Sequence, residues 1–326
     1  QMGQSADFRD PFVWRESDTW YMVVGSRIEG VGGAILLYRS SDLLNWEYLN
    51  PLFTCDSALG GIMWECPNFF PVGEKWVLIL SSHIGYTTGT VLYYVGTYQN
   101  HRFIPDVQGV LDAGYYYAPL THLDDQGRRI MYGWLREGRR VEEQRVLGWS
   151  GVQAIPRSVA IDDNNRLVME PIVELAQLRN NHFHLEGQNA DEKRLPVHGL
   201  SLEIRVSFQI DSDQVCGLVV AEAADGSEQT EIIYEPTTAT LRVQRKCSDT
   251  HQTFDTFTQG IQHALDQGET LDLCILLDGS VLEIIANKRS SLTSRIYPLT
   301  KHNQYLRLIN AGALQELDIW EMSSIW

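Results

Sequence analysis

The chain is predicted to be all-β, and three observations predict it. Short runs rich in β-branched and aromatic residues recur, among them Trp20 to Val24, Ala34 to Tyr38, Trp76 to Leu80 and Val91 to Val95. Clusters of Gly, Asp, Asn and Ser separate them and punctuate the turns. Helix-period stretches are nearly absent; only Ile172 to Leu178 has room for a turn or two.

The first part of the chain repeats. Arg9-Asp10-Pro11-Phe12 precedes a strand pair and the turn Ser41 to Trp46, Glu65-Cys66-Pro67-Asn68 precedes another strand pair, and Tyr117-Ala118-Pro119-Leu120 opens a third unit. The prolines at 11, 67 and 119 stand 56 and 52 residues apart. A period near ~40–50 residues with about four strands per unit marks a β-propeller blade. Each unit then opens with an innermost strand lining a central channel, an edge where proline is tolerated because one row of N–H groups has no partner. The pattern fades after Arg157 to Ile161. A connector follows from Glu170 to Arg179, then a polar stretch to about Gly199.

From Leu200 the strands resume as Ser201 to Ile210, Val215 to Ala221, Glu231 to Tyr234, Thr240 to Arg245, Thr270 to Leu277, Val281 to Ala286 and Leu314 to Glu321. Ser201 to Phe208 alternates polar and apolar, so one face is wet and one buried. About seven such strands predict a β-sandwich. The division expected is residues 1–178 for the propeller part and 179–326 for the sandwich. It fits a length of 326 residues at ~150 per domain.

The bulk numbers exclude more than they assign. A formal charge of −16, from 26 basic and 42 acidic residues, repels phosphate backbones and argues against nucleic acid as a partner. No apolar run approaches the ~20 residues of a bilayer span, so no membrane partner is expected. Cys55, Cys66, Cys216, Cys247 and Cys274 are odd in number and show no CxxC spacing, which suggests neither a disulfide framework nor a zinc site. Reduced thiols of the cytosol and free cysteines of a secreted enzyme fit equally well, which leaves the compartment open. Gln1 and the polar stub after it do not read as a natural start, and a cut or incomplete N-terminus is expected.

Retaining cleavage of a glycosidic bond needs two carboxyl groups ~5–5.5 Å apart, one to attack the anomeric carbon and one to protonate the leaving oxygen. Inner strands of neighbouring blades can bring such groups into one channel. The residues that carry acids there stand in a recognisable order. Arg9-Asp10-Pro11 resembles the RDP motif of glycoside hydrolase family 32, the invertases, levanases, inulinases and fructan exohydrolases. Trp64-Glu65-Cys66-Pro67 resembles its WEC(P) motif. Asp112 to Ala118 resembles its D-x-G-x-(F/Y)-Y-A segment, and Gly148 to Arg157 its GW-(A/S)-G-x-Q-x-(I/L)-P-R segment. Leu277 to Asn287, followed by Ser294 to Pro298, resembles its sandwich hairpin. Five segments in the family's order make the resemblance specific.

The resemblance implies a five-bladed propeller, of which about three blades lie in this chain, followed by a β-sandwich. It implies a fructose-containing sugar as substrate, no cofactor and no metal. Glu65 is then the general acid and later the general base, with a pKa raised by burial and a neighbouring carboxylate. Asp10 stabilises the oxocarbenium-like transition state, with Arg9 beside it. Cys66 packs next to the acid without acting as a nucleophile. Asp112 lines the sugar site, and Trp134 and Trp149 offer apolar faces to the sugar.

Plainer readings stand beside these. Asp10 before Pro11, taken alone, is a turn former. Trp134 and Trp149 read equally well as core in a chain with nine Trp. His83, His122 and the pair His182 and His184 read as surface or core histidines, with nothing nearby in sequence to complete a metal shell. Glu65 between Trp64 and Cys66 is harder to dismiss, because a carboxylate in an apolar frame costs free energy unless paired or used.

The family's nucleophile motif, W-x-N-D-P-x-G, occurs nowhere in the 326 residues. The expected place for it is upstream of Gln1, with two further blades of ~40–50 residues each. On that expectation the chain alone is nearly inactive. Self-association is expected through propeller edges left exposed. Tyr115 stands where some sucrose-cleaving relatives carry Lys, which weakens sucrose against fructans as the substrate. Two alternatives share these residues: a non-catalytic carbohydrate-binding remnant of the same fold, and a fructosyltransferase.

Overall fold

The computed structural model describes residues 5–55, 60–85, 87–187, 190–191, 193–247, 257–299 and 304–325. Strand makes up 63% and helix 8%, so the chain is all-β. Two compact units divide it. The first takes in residues 1–111, 116–135 and 153–170; the second takes in 112–115, 136–152 and 171–326.

In the first unit, β1 (Arg9–Glu16), β2 (Thr19–Ile28), β3 (Gly32–Ser40) and β4 (Glu47–Thr54) follow one another across one sheet. β5 (Met63–Val72), β6 (Lys75–Ile84), β7 (Thr87–Gln99) and β8 (Arg102–Asp112) repeat that order. A third sheet sets β9 (Tyr116–Leu123) against β10 (Arg129–Leu135), which also pairs with the short β11 (Val152–Gln153) and with β12 (Arg157–Ile161); β13 (Leu167–Pro171) follows β12. Val23, Ile35, Leu37 and Leu52 from the first sheet share one core with Trp64, Phe69, Leu78, Leu80, Tyr94 and Phe103 from the second. Trp64 is fully buried and stacks on Phe53 at 5.5 Å. It fits because positions 25 and 33 carry no side chain. A Cβ on Gly33 would meet the Trp64 ring at 2.6 Å, and one on Gly25 would meet the Trp64 carbonyl oxygen at 2.4 Å.

The first strand of each sheet carries the same irregularity. Arg9 faces Gly25 and Phe12 faces Val23; Glu65 faces Ser81 and Asn68 faces Ile79; Tyr117 faces Trp134 and Leu120 faces Tyr132. Three steps on one strand oppose two on the other, so each strand holds one extra residue in a β-bulge. The residue before the proline has positive φ each time: 58° at Asp10, 48° at Cys66 and 50° at Ala118. Proline suits the bulge because it has no N–H to withhold from the ladder. The sequence repeat is thus a repeat of bulges.

The second unit packs two six-stranded sheets over one core. One runs β14 (Arg179–Glu186), β25 (Leu314–Met322), β16 (Ser201–Phe208), β21 (Leu271–Asp278), β22 (Val281–Ala286), β23 (Ser290–Arg295). The other runs β15 (Arg194–His198), β24 (Tyr305–Ile309), β17 (Cys216–Glu222), β18 (Glu228–Glu235), β19 (Thr240–Cys247), β20 (Phe257–Gln262). Ile204, Phe208, Leu273, Ile284 and Ile319 of the first sheet meet Leu218, Ile232, Val243 and Leu308 of the second. The stretch expected as a polar connector up to Gly199 contains β14 and β15. The expected turns near 172–178 form a 3-10 helix, Val173–Leu178. Strands β20 and β24 were not expected, nor was helix α1 (Val141–Leu147). The Glu143 carboxylate accepts from the Arg140 N–H at its start, and Gly148 closes it at φ 75°. No described helix is long and apolar enough to cross a membrane.

Candidate active site

The bulges of β1 and β5 put Arg9, Asp10, Glu65 and Cys66 side by side. Arg9 Nη1 donates to Glu65 Oε1 at 2.8 Å. The Cys66 amide donates to Asp10 Oδ2 at 3.0 Å, and the Cys66 thiol reaches the same oxygen at 3.4 Å. Consecutive residues of one bulge therefore grip consecutive residues of the next. Asp7 pairs with the far side of Arg9 at 3.6 Å and lies 2.8 Å from Arg27 Nε as an ion pair.

Glu65 is the most constrained acid of this group. Its side chain is 13% exposed. His83 Nε2 donates to Oε2 at 2.7 Å, and the Tyr117 hydroxyl donates to the same oxygen at 3.0 Å. Burial pushes the Glu65 carboxyl up. The hydrogen bond and charge of His83, the Tyr117 hydroxyl and the Arg9 guanidinium outweigh burial and hold it below its ordinary range. The raised pKa expected of a general acid is thus corrected: three donors surround this carboxylate and favour its ionised form. Burial, reinforced by Asp10, pushes the Cys66 thiol well up, so it stays protonated at neutral pH.

His83 and Tyr117 were not picked out from the sequence, and His83 was read as a surface or core histidine. A signal for it exists. Gly73 turns the β5–β6 hairpin at φ 58°, which pairs Glu65 with Ser81 and Met63 with His83. His83 is then a diagonal neighbour of Glu65 on the same sheet face. Asn68 was also missed. Fully buried, it donates to the Cys66 and Pro119 carbonyls and accepts from the Thr121 amide, which braces the β5 bulge against the β9 bulge.

Three other residues, Trp134, Trp149 and Asp112, were expected at the site. Trp134 faces Tyr117 across β9–β10 and is 45% exposed. Trp149 belongs to the second unit and is covered by Arg139 at 4.2 Å. Asp112, expected to line the sugar site, is fully buried in the second unit. Its carboxylate accepts from the Ser291 and Thr293 hydroxyls, both at 2.6 Å, and from the Gly114 amide at 2.8 Å. A Cβ on Gly114 would strike the Thr293 carbonyl at 1.8 Å. The D-x-G spacing therefore fastens this turn to β23, and in this structure the Asp112 carboxylate is spent on that fastening. Of the expected free thiols, the side chain of Cys247 lies outside the described residues; Cys55, Cys66, Cys216 and Cys274 form no disulfide.

Residues 1–171 match the glycosyl hydrolases family 32 N-terminal domain, and residues 174–321 match the family 32 C-terminal domain. The sucrose-6-phosphate hydrolase of Escherichia coli is 27% identical over 97% of this chain and 67% of its own length. A variant of the Bombyx mori β-fructofuranosidase, solved in complex with sucrose, is 27% identical with a TM-score of 0.74, covering 98% of this chain and 66% of that one. A variant of fructan 1-exohydrolase IIa from Cichorium intybus, in complex with 1-kestose, shares the fold at 23% identity and a TM-score of 0.83, covering 99% and 73%. The first curated relatives are matched over 67%, 65% and 59% of their length, so the chain spans about two thirds or less of them.

Proposed function

Because the chain belongs to glycosyl hydrolase family 32, we propose that it carries the acid–base half of a retaining β-fructofuranosidase site. The substrate class is β-fructofuranosides, as in sucrose, inulin and levan. The three sheets that open on a bulge are blades of a five-bladed propeller, and the two-layered second unit is its sandwich. Glu65 protonates the leaving glycosidic oxygen and later takes a proton from water. Asp10 stands against the positive charge that develops on the fructosyl ring, with Arg9 as the countercharge that aligns both acids. The observation that carries this reading is the Glu65 carboxylate itself, 13% exposed and met by Arg9, His83 and Tyr117.

Retention also needs an attacking carboxylate. The W-x-N-D-P-x-G motif is absent from the 326 residues. The 326 residues by themselves therefore release little fructose. A second reading, sugar binding without turnover, is favoured by the depressed Glu65 carboxyl, which is a poor proton donor near neutrality. Self-association is part of the proposal as well: Leu120 and Leu123 of β9 are 63% and 59% exposed.

Fructose release from sucrose, inulin and levan by the purified chain, beside Glu65→Gln, tests the proposal. General acid–base catalysis contributes ~10²–10⁴-fold, and any activity present should fall by that factor in the variant. Activity that survives Glu65→Gln unchanged removes Glu65 from the proposed role. Saturable binding of an inulin oligosaccharide with no release in either protein supports the second reading.

A further inference from the structure

We propose that the outer face of the β14–β25 pair binds a divalent transition-metal ion of the zinc type. The ligands are His184, Asp318 and Glu316, and His182 orients Asp318 from outside the shell.

β14 alternates cleanly. Phe183 and Leu185 pack against the core of the second unit, while His182, His184 and Glu186 face outward. The register on β25 sets His184 opposite Asp318, His182 opposite Trp320 and Glu186 opposite Glu316. His184 Nδ1 lies 3.0 Å from Asp318 Oδ1 and 3.9 Å from Glu316 Oε1, and the three ligand atoms fall within 4.8 Å of one another. Two donors at zinc-ligand distances of ~2.0–2.2 Å in tetrahedral geometry sit about 3.4 Å apart. The observed 3.0 and 3.9 Å bracket that spacing, so small side-chain rotations suffice.

A further feature favours an ion here. His182 is held in place: its ring stacks on Trp320 at 4.7 Å and 5°, and its Nε2 reaches Asp318 Oδ1 at 2.7 Å. A hydrogen bond from an outer group to a ligating carboxylate is the usual support of a metal site. The imidazole-plus-carboxylate set selects zinc, nickel or copper over the oxygen-seeking magnesium and calcium.

Calorimetric titration of the full chain with Zn²⁺, after its thiols have been alkylated, tests the site. One saturable equivalent is expected, and millimolar Mg²⁺ or Ca²⁺ should not displace it. His184→Ala and Asp318→Asn should abolish it. His182→Phe, which keeps the ring on Trp320, should weaken it by ~10–100-fold. These side chains are exposed or half-buried, and the melting curves of the metal-free variants should overlay the parent. Equal Zn²⁺ binding in His184→Ala and Asp318→Asn, displacement by Mg²⁺, or no saturable binding to the parent would each overturn the proposal.

Discussion

Replacing Asp112 separates a structural carboxylate from a sugar ligand. The acid is fully buried and is the common acceptor for the Ser291 and Thr293 hydroxyls and the Gly114 amide, with the Thr293 amide at 3.3 Å. Ser291 and Thr293 are fully buried too. Asp112→Ala removes the acceptor from all of these donors at once. Each buried donor left without an acceptor costs about 1–3 kcal/mol, so a total loss of about 3–5 kcal/mol is expected. For a unit of this size each kcal/mol lowers Tm by ~2–4 °C, so the second unit should melt roughly 6–20 °C lower. Asp112→Asn keeps the shape and one good acceptor but turns an NH₂ towards donors, for a loss of about 1–3 kcal/mol. Differential scanning calorimetry and urea unfolding read the loss. A change in urea midpoint at constant m shows that stability alone has moved. Sugar affinity, measured below the lowered Tm, should stay near that of the parent. An Asp112→Asn protein that melts like the parent yet no longer binds a fructan oligosaccharide would refute this reasoning and return Asp112 to the sugar.

Four further outcomes follow from the first unit. His83→Ala and Tyr117→Phe each remove a donor from Glu65 and should raise its pKa, read by ¹³C-carboxyl NMR; a fall or no change would contradict the hydrogen-bond account. A carboxyl held low in the fold contributes stability above its unfolded pKa and loses it as pH falls through the folded value. Acid should therefore destabilise the parent more than His83→Ala over that window. Asp10→Asn takes away a charge that holds the Cys66 thiol up, so Cys66 should alkylate faster at mildly alkaline pH, read by peptide mass spectrometry; an unchanged rate would leave burial and the Glu65 charge as the causes. Gly33→Ala forces a methyl group into the Trp64 ring and should cost about 1–3 kcal/mol in chemical unfolding, whereas a neutral result would mean that the aromatic layer is looser than it looks.

Strands with an apolar, β-branched face were legible: β2, β3, β6, β7, β16, β21, β22 and β25 all lie where the residue pattern sets them. β14 was not, because Arg179-Asn180-Asn181-His182 shows the outer side of a strand and has only Phe183 and Leu185 to mark the inner one. α1 buries no residue, so no apolar stripe could announce it, and its signals were confined to Glu143 and Gly148 at its ends. In the candidate site, Arg9, Asp10 and Glu65 were singled out from their motifs, and the structure makes them neighbours. His83 needed the hairpin register. Asp112 was out of reach, since D-x-G reads the same whether its partner is a sugar or hydroxyls 179 and 181 residues further along the chain.

The three bulges divide labour between backbone and side chain. A positive φ at a residue with a side chain costs on the order of 1–3 kcal/mol, and the first unit bears that cost three times at matched positions. Two of them share a tool-holder, an amide turned out of the ladder towards a neighbouring strand: that of Cys66 goes to Asp10, and that of Ala118 goes to the Ser81 hydroxyl. What varies is the tool: an acid at 10, a thiol at 66, a methyl group at 118. Such a mount lets sheets built on one plan carry different groups at the same position without moving a strand.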